Sequence, residues 1–185
     1  MKQQEVWLTS DTHFGHAKII EYSKRPYQSA QAMDESLIAN FNSAVRDGDL
    51  VYHLGDFGYS DETSLNTILR RLNGEKTFVY GNHDKQVRSS QKLQGHFKKC
   101  VDYHEITVDK TRFVLCHYPM VIWNRLAHGS IMVHGHCHGN LRYPFKGRIV
   151  DVGVDPQNYF PVNARDLIRR LANVEVEFLD HHLGD

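Results

Sequence analysis

A chain of 185 residues, 41% hydrophobic and 24% charged, can bury a core without disulfides or a structural metal. Its 22 Lys and Arg balance 22 Asp and Glu, which speaks against long DNA or RNA as the main partner and leaves a small phosphate ester open. No run has the length of a membrane span, MKQQEVWLTSD lacks the apolar core of a signal peptide, and Cys100, Cys116 and Cys137 are too few and too scattered for a disulfide framework. The expectation is a cytoplasmic protein with no membrane partner. Without a repeat, linker or low-complexity stretch, one domain over 1–185 is expected.

In chain order, short runs rich in β-branched and aromatic residues predict strands at Val6–Leu8, Leu50–Leu54, Thr77–Tyr80, Tyr103–Val108, Arg112–Leu115, Ile131–Val133, Ile149–Val154 and Val174–Phe178. Between the early ones, Met33, Leu37, Phe41 and Val45 make one apolar stripe, which predicts a helix over Ser29–Val45. A second helix starts near Ser60, carries Leu65, Ile68, Leu69 and Leu72, and stops at Asn73-Gly74. Asp109-Lys110 suits a hairpin turn, and Asn163 suits the cap of a last helix with Leu167, Ile168 and Leu171. The mixture predicts an α/β fold with helices packed outside sheets.

The 13 histidines are not scattered at random. VWLTS leads into Asp11-Thr12-His13, LVYHLG into Asp56, TFVYG into Asn82-His83-Asp84, FVLC into His117 and IMVHG into His136-Cys137-His138. Strand ends on one sheet edge converge in space, so loops there aim side chains at one point. Asp11, Asp56, Asn82, His13, His117, His136 and His138 are enough donors for two catalytic cations. Asp56 is the natural bridge because its loop supplies no other ligand. Gly55, Gly81 and Gly135 precede ligands and let an ion or phosphate come close to the backbone. The mixed nitrogen and oxygen set suits Mn, Fe, Zn, Co or Ni better than Mg or Ca, with Mn favoured. Cys116 and Cys137 point away from their neighbouring histidines and are expected to pack, as are His53 and His134. His16, Arg25 and Arg125 are candidates for gripping a phosphate; Arg169-Arg170 and His181-His182 are read as solvated features.

These blocks resemble the calcineurin-like metallophosphoesterase superfamily, whose pattern runs D-x-H, G-D, G-N-H-[DE], a lone H and G-H-x-H. The stretch SDTHFGH, with LGDFG later, is similar to a small bacterial and phage branch. The resemblance implies a four-layer αββα sandwich, two packed mixed β-sheets flanked by helices, with a dimetal site at the strand C-terminal edge. It implies one ion held by Asp11, His13, Asp56 and His138, and a second held by Asp56, Asn82, His117 and His136. His83 would face the substrate and Asp84 would orient it. The implied activity is hydrolysis of phosphate esters by a hydroxide bridging two divalent metal ions. The short chain leaves no room for a cap, so an open site and a phosphodiester, perhaps nucleotide-derived, are favoured. The alternatives are a phosphomonoesterase for a small substrate and a non-catalytic metal-binding scaffold.

Overall fold

The computed structural model describes residues 4–177. β1 (Val6–Thr9), β2 (Leu50–His53), β3 (Glu75–Val79) and β4 (Phe97–Val101) run parallel in the order β4-β3-β2-β1, and β9 (Val162–Asn163) joins β1 antiparallel. The second sheet has the order β5-β6-β7-β8. In it β5 (His104–Val108) pairs antiparallel with β6 (Thr111–Leu115), and β6, β7 (Ile131–His134) and β8 (Ile149–Asp151) are parallel. The β5–β6 turn is Asp109-Lys110 as expected; φ of 45° and 68° at its two residues matches a tight hairpin whose twist follows the strands.

Helices cover one face of the first sheet. α2 (Ala30–Ala44) begins where the Ser29 hydroxyl accepts from the Ala32 N–H, and α3 (Glu62–Arg71) where Asp61 accepts from Ser64. Asp61, one residue after the expected start, is the cap. Met33, Leu37 and Phe41 of α2 and Leu65, Ile68 and Leu69 of α3 pack on Val51 and Phe78. A second core lies between the sheets, where Leu8, Leu54 and Val79 meet Phe113, Leu115, Ile131 and Val133. α6 (Ala164–Leu171), capped by Asn163 as expected, inserts Leu167 there.

The two mixed sheets and flanking helices agree with the expected class. The outer layer of the second sheet differs. Val114, Met132 and Ile149 are covered by Trp123, Leu126, Tyr143 and Phe145 from loops whose only helical turn among the described residues is Leu126–His128. Pro119, Gly129, Pro144 and Gly147 interrupt this stretch, so no apolar stripe of helical period can form. Elements absent from the sequence reading are α1 (Ala17–Tyr22), α4 (Lys85–Ser89), α5 (Gln91–Gln94), β4 and β9, all short or weakly apolar. Residues 174–177 form no strand; Phe178 and His181-His182 lie outside the described residues. Among the described residues no helix is long and apolar enough to cross a membrane.

Candidate metal centre

The parallel registers place the ends of β1, β2 and β3 on one edge of the first sheet, and those of β6 and β7 side by side in the second. Hydrogen bonds stitch the two edges together. The Gly135 N–H donates to the His117 carbonyl at 3.0 Å, and the His136 N–H donates to both Asp11 carboxylate oxygens at 3.0–3.1 Å. Two groups of converging donors result: Asp11, His13 and His138, and Asp56, His117 and His136. Within each, the ligand atoms lie within 4.8 Å of one another.

Asp56 stands between the two groups. Its Oδ1 accepts the backbone N–H of His83 at 2.9 Å. Its Oδ2 lies 3.7 Å from His13 Nε2 and 3.6 Å from His117 Nε2. The His117 Nδ1 is 2.7 Å from the Leu54 carbonyl, which only accepts, so Nδ1 carries the proton and the neutral ring turns a lone pair at Nε2 toward Asp56. That same Nε2 is 3.1 Å from Asn82 Oδ1, which adds Asn82 to the second group. His138 is fixed likewise, its Nδ1 donating to Asp155 Oδ2 at 2.7 Å while Nε2 faces Asp11. The His13 Nε2 is buried and has no hydrogen-bond partner. The His117 lone pair facing Asp56 and the unpartnered His13 nitrogen are what a cation would satisfy, and the seven expected ligands are of types that suit divalent ions. Neither group contains a cysteine, and Cys116 packs against the outer core.

The backbone also marks the place. Asp11, His13, Asp56, His136 and His138 all have φ between 49° and 68°. Each residue held there costs about 1–3 kcal/mol and persists only where its surroundings impose it. The glycines serve a purpose other than the expected one. A Cβ at Gly81 would sit 2.3 Å from Asp56 Oδ1, and one at Gly135 would sit 2.3 Å from Asp11 Oδ2. They make room for the ligand carboxylates rather than for an ion or a phosphate.

Burial raises the Asp11 pKa to about 8, Asp56 and Asp151 adding to the rise, and lowers that of His13 to about 2, with His138 and Arg25 contributing. In protein stripped of metal these act in opposite directions below pH 6.5. The folded state holds the Asp11 proton between the ordinary 3.8 and about 8, so stability falls with pH across that window. For His13 the unfolded chain holds the extra proton between about 2 and 6.5, so stability rises there. Above pH 6.5 the Asp11 loss remains, and His138, which despite burial the Asp155 hydrogen bond holds above its ordinary value, adds to it, so the metal-free protein should lose about 2 kcal/mol, or roughly 5 °C in Tm, between pH 6.5 and 8. Asp11→Asn should flatten that decline, as should Mn²⁺. An equal fall in the Asp11→Asn variant would show that another group causes it.

His83 is exposed, its ring 5.7 Å from that of His13 and at the rim of a groove. Asp84 does not orient it. The Asp84 carboxylate accepts from the N–H groups of Asp56, Phe57 and Gly81 at 2.6–2.9 Å, clamping the two loops that carry Asp56 and Asn82. His16 stands at the start of α1 with its ring 5.6 Å from that of His13, at the edge of the centre. Arg25 is not free to hold substrate. It is buried, donates to both Asp155 oxygens at 2.8 Å, and caps the Asp11 and Thr12 carbonyls at 2.7 and 3.0 Å. One guanidinium therefore sets both the Asp11 loop and, through Asp155, the His138 ring. Arg125 is at the wrong edge, in a pocket with Lys110, Arg112 and His128 at the starts of β6 and β7. Asp155 was the missed residue. It follows the apolar run Ile149–Val154, so the signal that picked out Asp11 and Asp56 was present there too. His53 and His134 are buried and bonded to Thr12 and Tyr143, in keeping with packing roles.

Residues 5–147 match the calcineurin-like phosphoesterase superfamily domain. The chain belongs to that family. An uncharacterized protein of Methanocaldococcus jannaschii is 38% identical over 178 residues, covering 92% of this chain and 93% of its own. The gene 66 protein of Mycobacterium phage D29 is 29% identical over 162 residues, or 74% of this chain and 79% of its own. Among solved structures, a protein of unknown function from Aquifex aeolicus shares the fold with a TM-score of 0.69 and 24% identity, across 91% of this chain and all (100%) of that one. The superfamily is metal-dependent, and the two donor groups of this domain are candidate metal-ligand groups.

Proposed function

We propose that this calcineurin-like protein is a dinuclear-metal phosphodiesterase for small esters, with Mn²⁺ the preferred ion. The observation that carries the reading is Asp56 Oδ2, placed 3.6–3.7 Å from an imidazole nitrogen of each donor group with no donor of its own. Asp11, His13, Asp56 and His138 would hold one ion; Asp56, Asn82, His117 and His136 the other. When bound, the pair supplies positive charge for the phosphoryl oxygens and a water acidic enough to lose its proton near neutral pH. The chain's own part is to fix these donors and to present His83. The exposed imidazole stands where it can donate a hydrogen bond to a phosphoryl oxygen or a proton to the departing alkoxide. Asp84 positions Asp56 through its backbone N–H and the Asn82 loop through the N–H of Gly81. The open groove beside His83 has room for groups on both sides of phosphorus, which favours diesters over monoesters. The zero net charge favours small substrates over long nucleic acid, and the three free cysteines suit the cytoplasm.

The test is metal-reconstituted turnover of bis(p-nitrophenyl) phosphate against p-nitrophenyl phosphate, with His83→Ala in parallel. The diester should be the better substrate. His83→Ala should keep its metals, because only its backbone N–H touches Asp56, and lose roughly 10²- to 10⁴-fold in turnover. A metal-loaded protein inert toward both esters would revive the scaffold reading.

A further inference from the structure

The groove next to His83 has a volume of about 700 Å³ and is lined by Tyr59, Ser60, Asn82, Lys85 and Gln86, among others. That is within the range of small-molecule sites. Tyr59 is 63% exposed although its backbone is firmly held. The Tyr59 N–H donates to the Phe14 carbonyl at 2.8 Å, and Gly58 bridges to Phe14. The ring rests on His16, with centroids 4.9 Å apart and planes 33° from parallel. Tyr22, 69% exposed, meets His16 edge-on with ring centroids 6.5 Å apart. Two large aromatic surfaces are thus held open beside a candidate metal pair, one of them propped on an imidazole. A fixed, exposed, nearly stacked ring is a ready face for another flat ring.

We propose that Tyr59, propped by His16, forms an aromatic subsite that takes a planar ring of nucleobase type on the phosphate ester. This rests on the phosphoesterase reading and narrows its substrate class to nucleoside-like esters. Phosphorus lies at the donor groups, the sugar or equivalent spacer crosses His83, and the ring stacks on Tyr59 with Lys85 at the groove's far wall.

The experiment is calorimetric binding of two diester analogues, the phosphonate isosteres of AMP and of ribose 5-phosphate as their methyl esters, to Mn²⁺-loaded protein. Wild type should bind the adenosine compound roughly tenfold tighter, the value of one base–aromatic stack. Tyr59→Ala should bring the ratio to about one, and Tyr59→Phe should restore it. A wild-type ratio near one, or a ratio unmoved by Tyr59→Ala, overturns the subsite and leaves the esterase standing. Failure of both phosphonates to bind overturns the esterase reading as well. Because Tyr59 is an exposed side chain, the alanine variant should keep its fold, and unchanged circular dichroism would verify this.

Discussion

Asp56→Asn is expected to lose roughly 10³-fold in phosphodiester turnover and yet to melt at a higher temperature than wild type when both are metal-free. The two effects have one cause. Asp56 is 2% exposed, and its Oδ2 faces the His117 Nε2 lone pair and the unpartnered His13 Nε2. A buried carboxylate without a donor or a cation is costly. The amide of asparagine keeps the Oδ1 that accepts from His83 and directs an NH₂ at the His117 Nε2 lone pair. Asparagine also tolerates the φ of 54° at this position. One new hydrogen bond to His117, formed once the 3.6 Å gap closes by a few tenths of an ångström, is worth about 1 kcal/mol, or roughly 2–4 °C. The same change removes the one anion within reach of both donor groups, so Mn²⁺ should no longer raise the melting temperature. Melting curves with and without Mn²⁺, together with turnover, check both halves. Near-wild-type turnover would mean that Asp56 bridges nothing.

Gly55→Ala is expected to inactivate by distortion rather than by loss of a donor. Gly55 has φ of +91°, and a Cβ there would lie 2.4 Å from the Gly81 nitrogen and 2.7 Å from its Cα. Both are backbone atoms in the loop that carries Asn82, so no side chain can swing aside. The strained φ costs about 1–2 kcal/mol and the overlap about 1–3 kcal/mol, which together lower Tm by roughly 10 °C. The Asp56 and Asn82 loops must separate, and the Asp84 clamp that joins them should fail with them. Turnover should fall about 100-fold or more even in the fraction that folds, since a shift of about 1 Å suffices for that. The measurement is Tm and kcat on folded, metal-loaded protein. A variant with wild-type kcat would show that the two loops are not held in register by this contact.

The sequence carried the donor set because each donor follows a strand, and parallel strands bring their ends together whatever the length of chain between them. Asp11, Asp56, Asn82, His117, His136 and His138 could be read one block at a time. The roles of Arg25 and Asp84 could not. Both are charged residues in loops, and nothing local says whether such a side chain reaches out to a ligand or turns inward to cap carbonyls and amides. Arg25 turns inward on Asp11, Thr12 and Asp155, and Asp84 on three backbone N–H groups. Arg125 shows the same limit in another form. Its place at the opposite edge depends on which end of β7 its loop meets, and that is a matter of chain path rather than composition. The strands β4 and β9 escaped because pairing, not propensity, makes them. Phe97–Val101 carries two lysines, and β9 is two residues long. The left-handed backbone at five of the donors was also hidden, since Asp and His do not announce a positive φ as glycine does.

That strain, the unpartnered His13 nitrogen and the facing acceptors all point to a centre built to be filled by cations. The most direct test is calorimetric titration of chelator-stripped protein with Mn²⁺, read alongside elemental analysis of the dialysed product. The account predicts two ions per chain in wild type, with Asp56→Asn weakening both. A single ion per chain, or two whose binding ignores Asp56, would contradict it.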